Sequence, residues 1–395
     1  MDLLKFVMLS LCCFSLCTTM ANARIFDVTS YGAIGDGDTD DSEAFLRTWE
    51  DLCGDDSPDP TMIIPTKTFL IGPVSFRGPC NYHVVNVQLL GNITAPKTFD
   101  GWKGCVEKRN WIDFVSVHRL SIHGPGQIDG QGSLWWGNEV AAKICYVPSA
   151  LHFHKCDGLR LSGTTHINSP NHHIGINGCN NVNVGNLQIY APDHSPNTDG
   201  IDISSSSIVN IHDSIIQTGD DCVAINGGTI NINITRVICG PGHGISIGSL
   251  GKNGDYHTVE QVRVENCNLT GTTNGLRIKT VPNGRGYAKG ILFQDINLVD
   301  VKNPIIIDQH YCSQSLDAFC PAPPSMQAVK VSDVTYINVH GTSSNKQAIT
   351  FNCSGRFKCT KITTNEVRIS GENVFAYCNN AKGKFLATNP MVNCE

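Results

Sequence analysis

Beyond its first twenty residues this chain has no long apolar run, no block of like charge and no low-complexity linker. Without a further apolar stretch of roughly 20 residues, the body of the chain offers no membrane-spanning helix. A formal net charge of −6 argues against a nucleic-acid partner. Without linkers there is no place to divide the chain, so one domain is expected. Helical periodicity is nearly absent too. One helix is expected after Asp40, with Glu43 completing a capping box and Ala44, Phe45, Leu46, Trp49 and Leu52 forming its apolar face. The acids Asp36, Asp38 and Asp40 just before it do not make a calcium loop. That loop needs Gly at its sixth position and Glu at its twelfth, where this chain has Asp41 and Arg47.

Residues 1–23 read as a cleaved secretory signal. Lys5 is basic, Phe6 to Thr19 is mostly apolar, and Ala21-Asn22-Ala23 fits a small-x-small cleavage site. The mature domain then spans 24–395 and is expected outside the cell, with no membrane attachment. Cysteine is plentiful: 18 residues, of which Cys12, Cys13 and Cys17 lie in the signal. The remaining 15 are odd in number, so at least one stays unpaired or bridges molecules. Cys353/Cys359 and Cys378/Cys394 could close short loops. Sequons at Asn92, Asn233, Asn268 and Asn352 suit a secreted glycoprotein.

From about residue 80 to 370 the chain consists of short β-branched runs separated by Gly, Asn, Asp and Ser, such as Val182 to Val184, Ile208 to Ile211 and Val262 to Val264. Ile203, Ile225 and Ile247 recur every 22 residues, and Ile278 and Ile307 follow after 31 and 29. Such periods mark stacked coils. A parallel β-helix is expected, with apolar residues facing a narrow interior, Asn or Gly at tight corners, and the helix capping one open end.

Polar words travel with this repeat. Asn197-Thr198-Asp199, Gly219-Asp220-Asp221-Cys222, Gly242-His243-Gly244 and Arg277-Ile278-Lys279 occur in order, and Asp199, Asp221 and His243 are spaced by 22. In register, these three would occupy equivalent places on consecutive coils about 4.7–4.9 Å apart. If Ile278 points inward, Arg277 and Lys279 point outward by alternation. Clustered carboxylates resist simultaneous ionisation, and glycoside hydrolysis uses one neutral and one ionised carboxyl. The cations suit a substrate that carries carboxylates. Each word alone is ordinary turn chemistry; four in register with a repeat make a site.

Together the four words resemble the polygalacturonases of glycoside hydrolase family 28, which cleave α-1,4-linked galacturonate in pectin. The resemblance starts at Phe26-Asp27-Val28-Thr29-Ser30-Tyr31-Gly32-Ala33 and covers nearly all of the mature chain. It implies a right-handed, single-stranded parallel β-helix, hydrolysis without metal or other cofactor, and pectin or polygalacturonic acid as partner of a monomer. It also implies that Asp220 is the general acid, that Asp199 and Asp221 activate water, and that His243 supports the acid. Arg277 and Lys279 would hold galacturonate carboxylates, with Asn197 and Tyr311 as further substrate-binding residues and a Cys222–Cys239 disulfide beside the site. The family inverts, although coil spacing places the carboxylates closer than the roughly 6.5–9.5 Å usual for inversion. Asp202 departs from the related plant enzymes, which often carry His there. Asn303-Pro304 and the tail from Val329 to Cys394 resemble pollen-type exopolygalacturonases, so exo action is expected, with endo action as the alternative. A pectate lyase, a rhamnogalacturonan hydrolase and a noncatalytic pectin-binding solenoid fit the words less well. His152, His154 and Cys156 lack a four-ligand metal spacing and read as strand residues.

Overall fold

The computed structural model describes residues 23–102, 110–137, 146–312 and 327–394; residues 1–22, nearly all of the expected signal, lie outside them. Strand pairing is parallel throughout, in a right-handed β-helix whose coils each return to the same two sheets. One sheet has eleven strands, from Val74–Arg77 to Phe375–Asn379, and each strand pairs only with the coil before and the coil after. Six of its strands carry the site: β1 (Ile174–Asn177), β2 (Ile201–Ser204), β3 (Val223–Ile225), β4 (Ile245–Leu250), β5 (Asn274–Thr280) and β6 (Asn303–Asp308).

The isoleucine period is the core. Ile176, Ile203, Ile225, Ile247, Ile278 and Ile307 are register partners from coil to coil, and all are buried. Each buried isoleucine contributes about 1.5–3 kcal/mol relative to exposure, so a slipped register would forfeit the column. Corners follow the strands in a matching column. Lys155, Gly178, Ser205 and Gly228 leave their coils with φ of 55°, 66°, 49° and 80°. A left-handed residue turns the chain sharply, which is why Gly and small polar residues gather there.

The expected helix is α1 (Ser42–Cys53), and it plugs the N-terminal end. Trp49 packs its ring 5.1 Å from Phe76 and 5.5 Å from Phe114, and its indole N–H donates to the Arg77 carbonyl at 3.1 Å. Its start differs from the capping-box reading by one residue. Asp41 takes the cap position but turns its carboxylate to the Ile34 and Gly35 N–H groups, at 2.7 and 3.0 Å. The loop donors outcompete the helix end, and Asp40 accepts from the Ser42 N–H instead. Asp36–Asp40 is a short strand paired in parallel with Thr68–Leu70. At the C-terminal end no helix covers the last described coil, and Phe375, Tyr377 and Leu386 are exposed.

Disulfides join Cys53–Cys80, Cys222–Cys239, Cys353–Cys359 and Cys378–Cys394. Cys156, Cys179 and Cys267 are free and buried. Two of them are corner residues with a structural use. The Cys156 N–H donates to Cys179 Sγ at 3.2 Å, and the Cys179 N–H donates to Ser206 Oγ at 3.0 Å.

Candidate active site

Register pairs Ile201 with Val223 and Val223 with Ile245, so Asp199, Asp221 and His243, each two residues earlier, share one row across three coils. The turns before the strands are tight enough to demand glycine. A Cβ on Gly219 would stand 2.1 Å from the Ser195 carbonyl oxygen, and one on Gly244 would stand 2.1 Å from that of Asn274. Thr198 fixes the same corner by accepting from the Gly219 N–H at 3.0 Å. The short words are thus both turn chemistry and site chemistry.

Asp221 lies at the bottom of the cleft. Its Oδ1 accepts from Arg277 Nη2 at 2.7 Å and from Ser246 Oγ at 2.7 Å, and its Oδ2 accepts from Lys279 Nζ at 2.9 Å. Arg277 Nε also donates to Ser246 Oγ at 2.9 Å. Arg277 and Lys279 therefore leave the β-helix interior as alternation predicts, but they are nearly buried and meet a protein carboxylate. Burial alone would raise the Asp221 carboxyl. The charges of Arg277 and Lys279, with the hydrogen bonds from Lys279 and Ser246, win and hold it below the usual range.

Asp199, one coil away, goes the other way. Burial, then the neighbouring Asp220, Asp221 and Asp202, push its carboxyl well above the usual range, against the weaker pull of Lys279. Of the two, Asp199 is thus the more readily protonated and Asp221 the more readily ionised. Asp220 turns to His243, whose Nδ1 lies 2.8 Å from Asp220 Oδ1, and the same oxygen accepts from the Asp221 N–H at 2.8 Å. Ligand atoms of Asp220, Asp221 and His243 come within 4.8 Å of one another. Both Asp221 oxygens already accept from cations, which makes the cluster a poor seat for a metal.

These residues line an open cleft with Asn197, Asp202, Asn226, Lys252 and Tyr311. The Lys279 ammonium stands 5.4 Å over the Tyr311 ring centroid. Every residue assigned to the site from the sequence is here. Sequence reasoning missed Ser246, Lys252 and Asn226. Ser246 was within reach, since it is the outward residue between the inward Ile245 and Ile247; Lys252 belongs to a turn with no repeat to place it. His152 and His154 hydrogen-bond to Asp113 and Asn177, at 2.8 Å each, while Cys156 is in the core. The three are strand and corner residues. Of the sequon asparagines, Asn92 and Asn268 are exposed, whereas the amides of Asn233 and Asn352 donate to Asn210 and Asp308 at 3.0 Å.

Comparison with known proteins identifies the family. The sequence profile described as "Glycosyl hydrolases family 28" matches residues 53–389. A probable polygalacturonase of Arabidopsis thaliana is 47% identical over 383 residues, covering 95% of this chain and 81% of the relative. An exopolygalacturonase of Zea mays is 39% identical over 367 residues, covering 91% and 87%. Among solved structures, a polygalacturonase from Erwinia carotovora superposes with a TM-score of 0.73 at 24% identity, covering 94% of this chain and 97% of that one. An exopolygalacturonase from Thermotoga maritima gives 0.71 at 21%, covering 91% and 92%. With its fold, its row of carboxylates and its sequence likeness in agreement, this chain belongs to the glycosyl hydrolases of family 28.

Proposed function

We propose that the protein is a polygalacturonase, hydrolysing α-1,4-galacturonosyl linkages of pectin or polygalacturonic acid. The observation that carries this reading is the row Asp199–Asp221–His243 with Asp220 beside it and Arg277 and Lys279 on the next coil. Asp220 donates its proton to the leaving glycosidic oxygen, and His243 holds that carboxyl in place. Asp199 and Asp221, whose surroundings drive their carboxyls in opposite directions, form the pair that takes the proton of the water that attacks C1. Arg277, Lys279 and Tyr311 bind the galacturonate, its carboxylate competing with Asp221 for the two cations.

Inversion and exo attack belong to the same proposal. The Asp220–Asp221 approach is shorter than either usual carboxyl separation, so inversion rests on likeness to the family. Exo attack is supported by the likeness at Asn303-Pro304 and in the C-terminal tail, and by kinship with the Zea mays enzyme. The protein acts as a monomer secreted to the cell wall. Its four described disulfides suit that compartment, and no helix among the described residues is long and apolar enough to cross a membrane.

Product analysis on polygalacturonate tests the reading. Monogalacturonate should dominate from the first minutes while viscosity barely falls, and the newly freed anomer should be inverted by NMR. An early collapse of viscosity with mixed oligomers identifies an endo enzyme. The Asp220→Asn variant, still folded by circular dichroism, should lose about 10²–10⁴-fold in turnover. Near-normal turnover refutes its role as the acid.

A further inference from the structure

The charges lining the cleft are sorted by sign along its axis. Among the described lining residues the fixed cations are Lys252, Arg277 and Lys279, all from the coils of β4 and β5. Arg277 and Lys279 together outweigh Asp221 by one positive charge, and Lys252 adds another. The opposite flank presents Asp202, from β2. Both of its oxygens accept from Asn226 Nδ2, at 3.0 Å each, and it has no ion-pair partner among the described residues.

No cationic side chain among the described residues pairs with Asp202. His172 Nε2 lies 2.6 Å from Ser149 Oγ, and burial lowers the pKa of its ring against the weaker upward pull of the Asp202 charge. His152 is paired with Asp113 at 2.8 Å. Register runs from Asp202 through Ala224 and Ser246 to Arg277, three strand spacings or about 14 Å. A polysaccharide lying along this row passes from an anionic flank, over a small alanine, to a cationic one.

We propose that Asp202 is a specificity-determining residue, so that the cleft accepts a galacturonate carboxylate over Arg277, Lys279 and Lys252 but a sugar without negative charge over Asp202. The inference rests on the polygalacturonase reading and names the substrate class within it. A carboxylate placed beside Asp202 is repelled in a partly dehydrated groove. An uncharged unit escapes that repulsion and can donate a hydroxyl hydrogen bond to the Asn226 amide oxygen. Two sources supply such a unit in pectic polymers: methyl-esterified galacturonate and a neutral sugar such as rhamnose.

The test compares wild type with Asp202→Asn and Asp202→Glu on de-esterified polygalacturonate, partly methyl-esterified pectin and rhamnogalacturonan. Asp202→Asn should shift the kcat/KM ratio about tenfold toward the de-esterified polymer, chiefly through KM, because one like-charge contact is removed. Asp202→Glu keeps the charge and should keep the wild-type ratio. Added salt should narrow the difference in ratio between wild type and Asp202→Asn, because it screens the contact that distinguishes them. A shift seen against pectin identifies the methyl ester, and a shift seen against rhamnogalacturonan identifies the neutral sugar. An unchanged ratio in Asp202→Asn, or an equal shift in Asp202→Glu, overturns the inference while leaving the polygalacturonase reading intact. If wild type hydrolyses none of the three polymers, that reading falls and the inference falls with it.

Discussion

Asp199 and Asp221 are chemically identical side chains one coil apart, and their surroundings drive them in opposite directions. Asp221, lowered by its cations, contributes stability above the ordinary carboxyl range and loses it as pH falls through its depressed value. Asp199, raised mainly by burial, costs nothing below the ordinary range and destabilises increasingly as pH rises toward its elevated value. Asp199→Asn should therefore abolish activity yet raise the melting temperature at neutral pH, with the gain fading near pH 4. Melts at the two pH values check this; equal gains at both would show that ionisation is not the cause. Lys279→Met weakens the hold on Asp221. The acid limb of its pH–activity profile should move upward, and its KM for polygalacturonate should rise. A profile and a KM that match wild type would remove Lys279 from both roles.

At the scale of a coil, each turn of the chain must satisfy its corner donors, and at Cys179 sulfur does so. Cys179→Ser should be close to neutral, because Ser206 already serves the next coil in the same way. Cys179→Val should cost about 1–3 kcal/mol by leaving the Cys156 N–H without an acceptor. Urea unfolding separates the two, and equal losses would mean that volume, not hydrogen bonding, decides. Coil length also governs what could be read in advance. Asp199, Asp221 and His243 were legible because their coils are equal in length, and the isoleucine column confirmed the same register through Ile278 and Ile307 despite longer loops. The ion pairs of Asp221 were not legible. Outward direction follows from alternation, but whether Arg277 and Lys279 reach solvent or fold onto a carboxylate depends on side-chain packing across two coils. The Asp202–Asn226 pair escaped notice for a related reason, since Asn226 follows the end of β3 and its reach back to β2 has no sequence signal. The start of α1 was misplaced by one residue because a loop, 6 to 7 residues upstream, claimed its capping carboxylate.

Over the whole molecule, every coil depends on its neighbours alone, so local losses need not spread. The two ends are unequal: α1 plugs one, while Phe375, Tyr377 and Leu386 leave the other bare. Two strands of the cleft-bearing sheet, Gln347–Asn352 and Phe375–Asn379, lie beyond β6 towards that bare end. They act as sacrificial length. Under mild heat with a reductant that opens Cys378–Cys394, the chain should unravel from this edge inward. Hydrogen exchange should release amides of Phe375–Asn379 and Ala381–Asn389 well before those of β2 to β5. Hydrolysis should survive the first of these losses, and a simultaneous loss of both would show a single cooperative block. A solenoid built this way can be frayed by its surroundings and go on working.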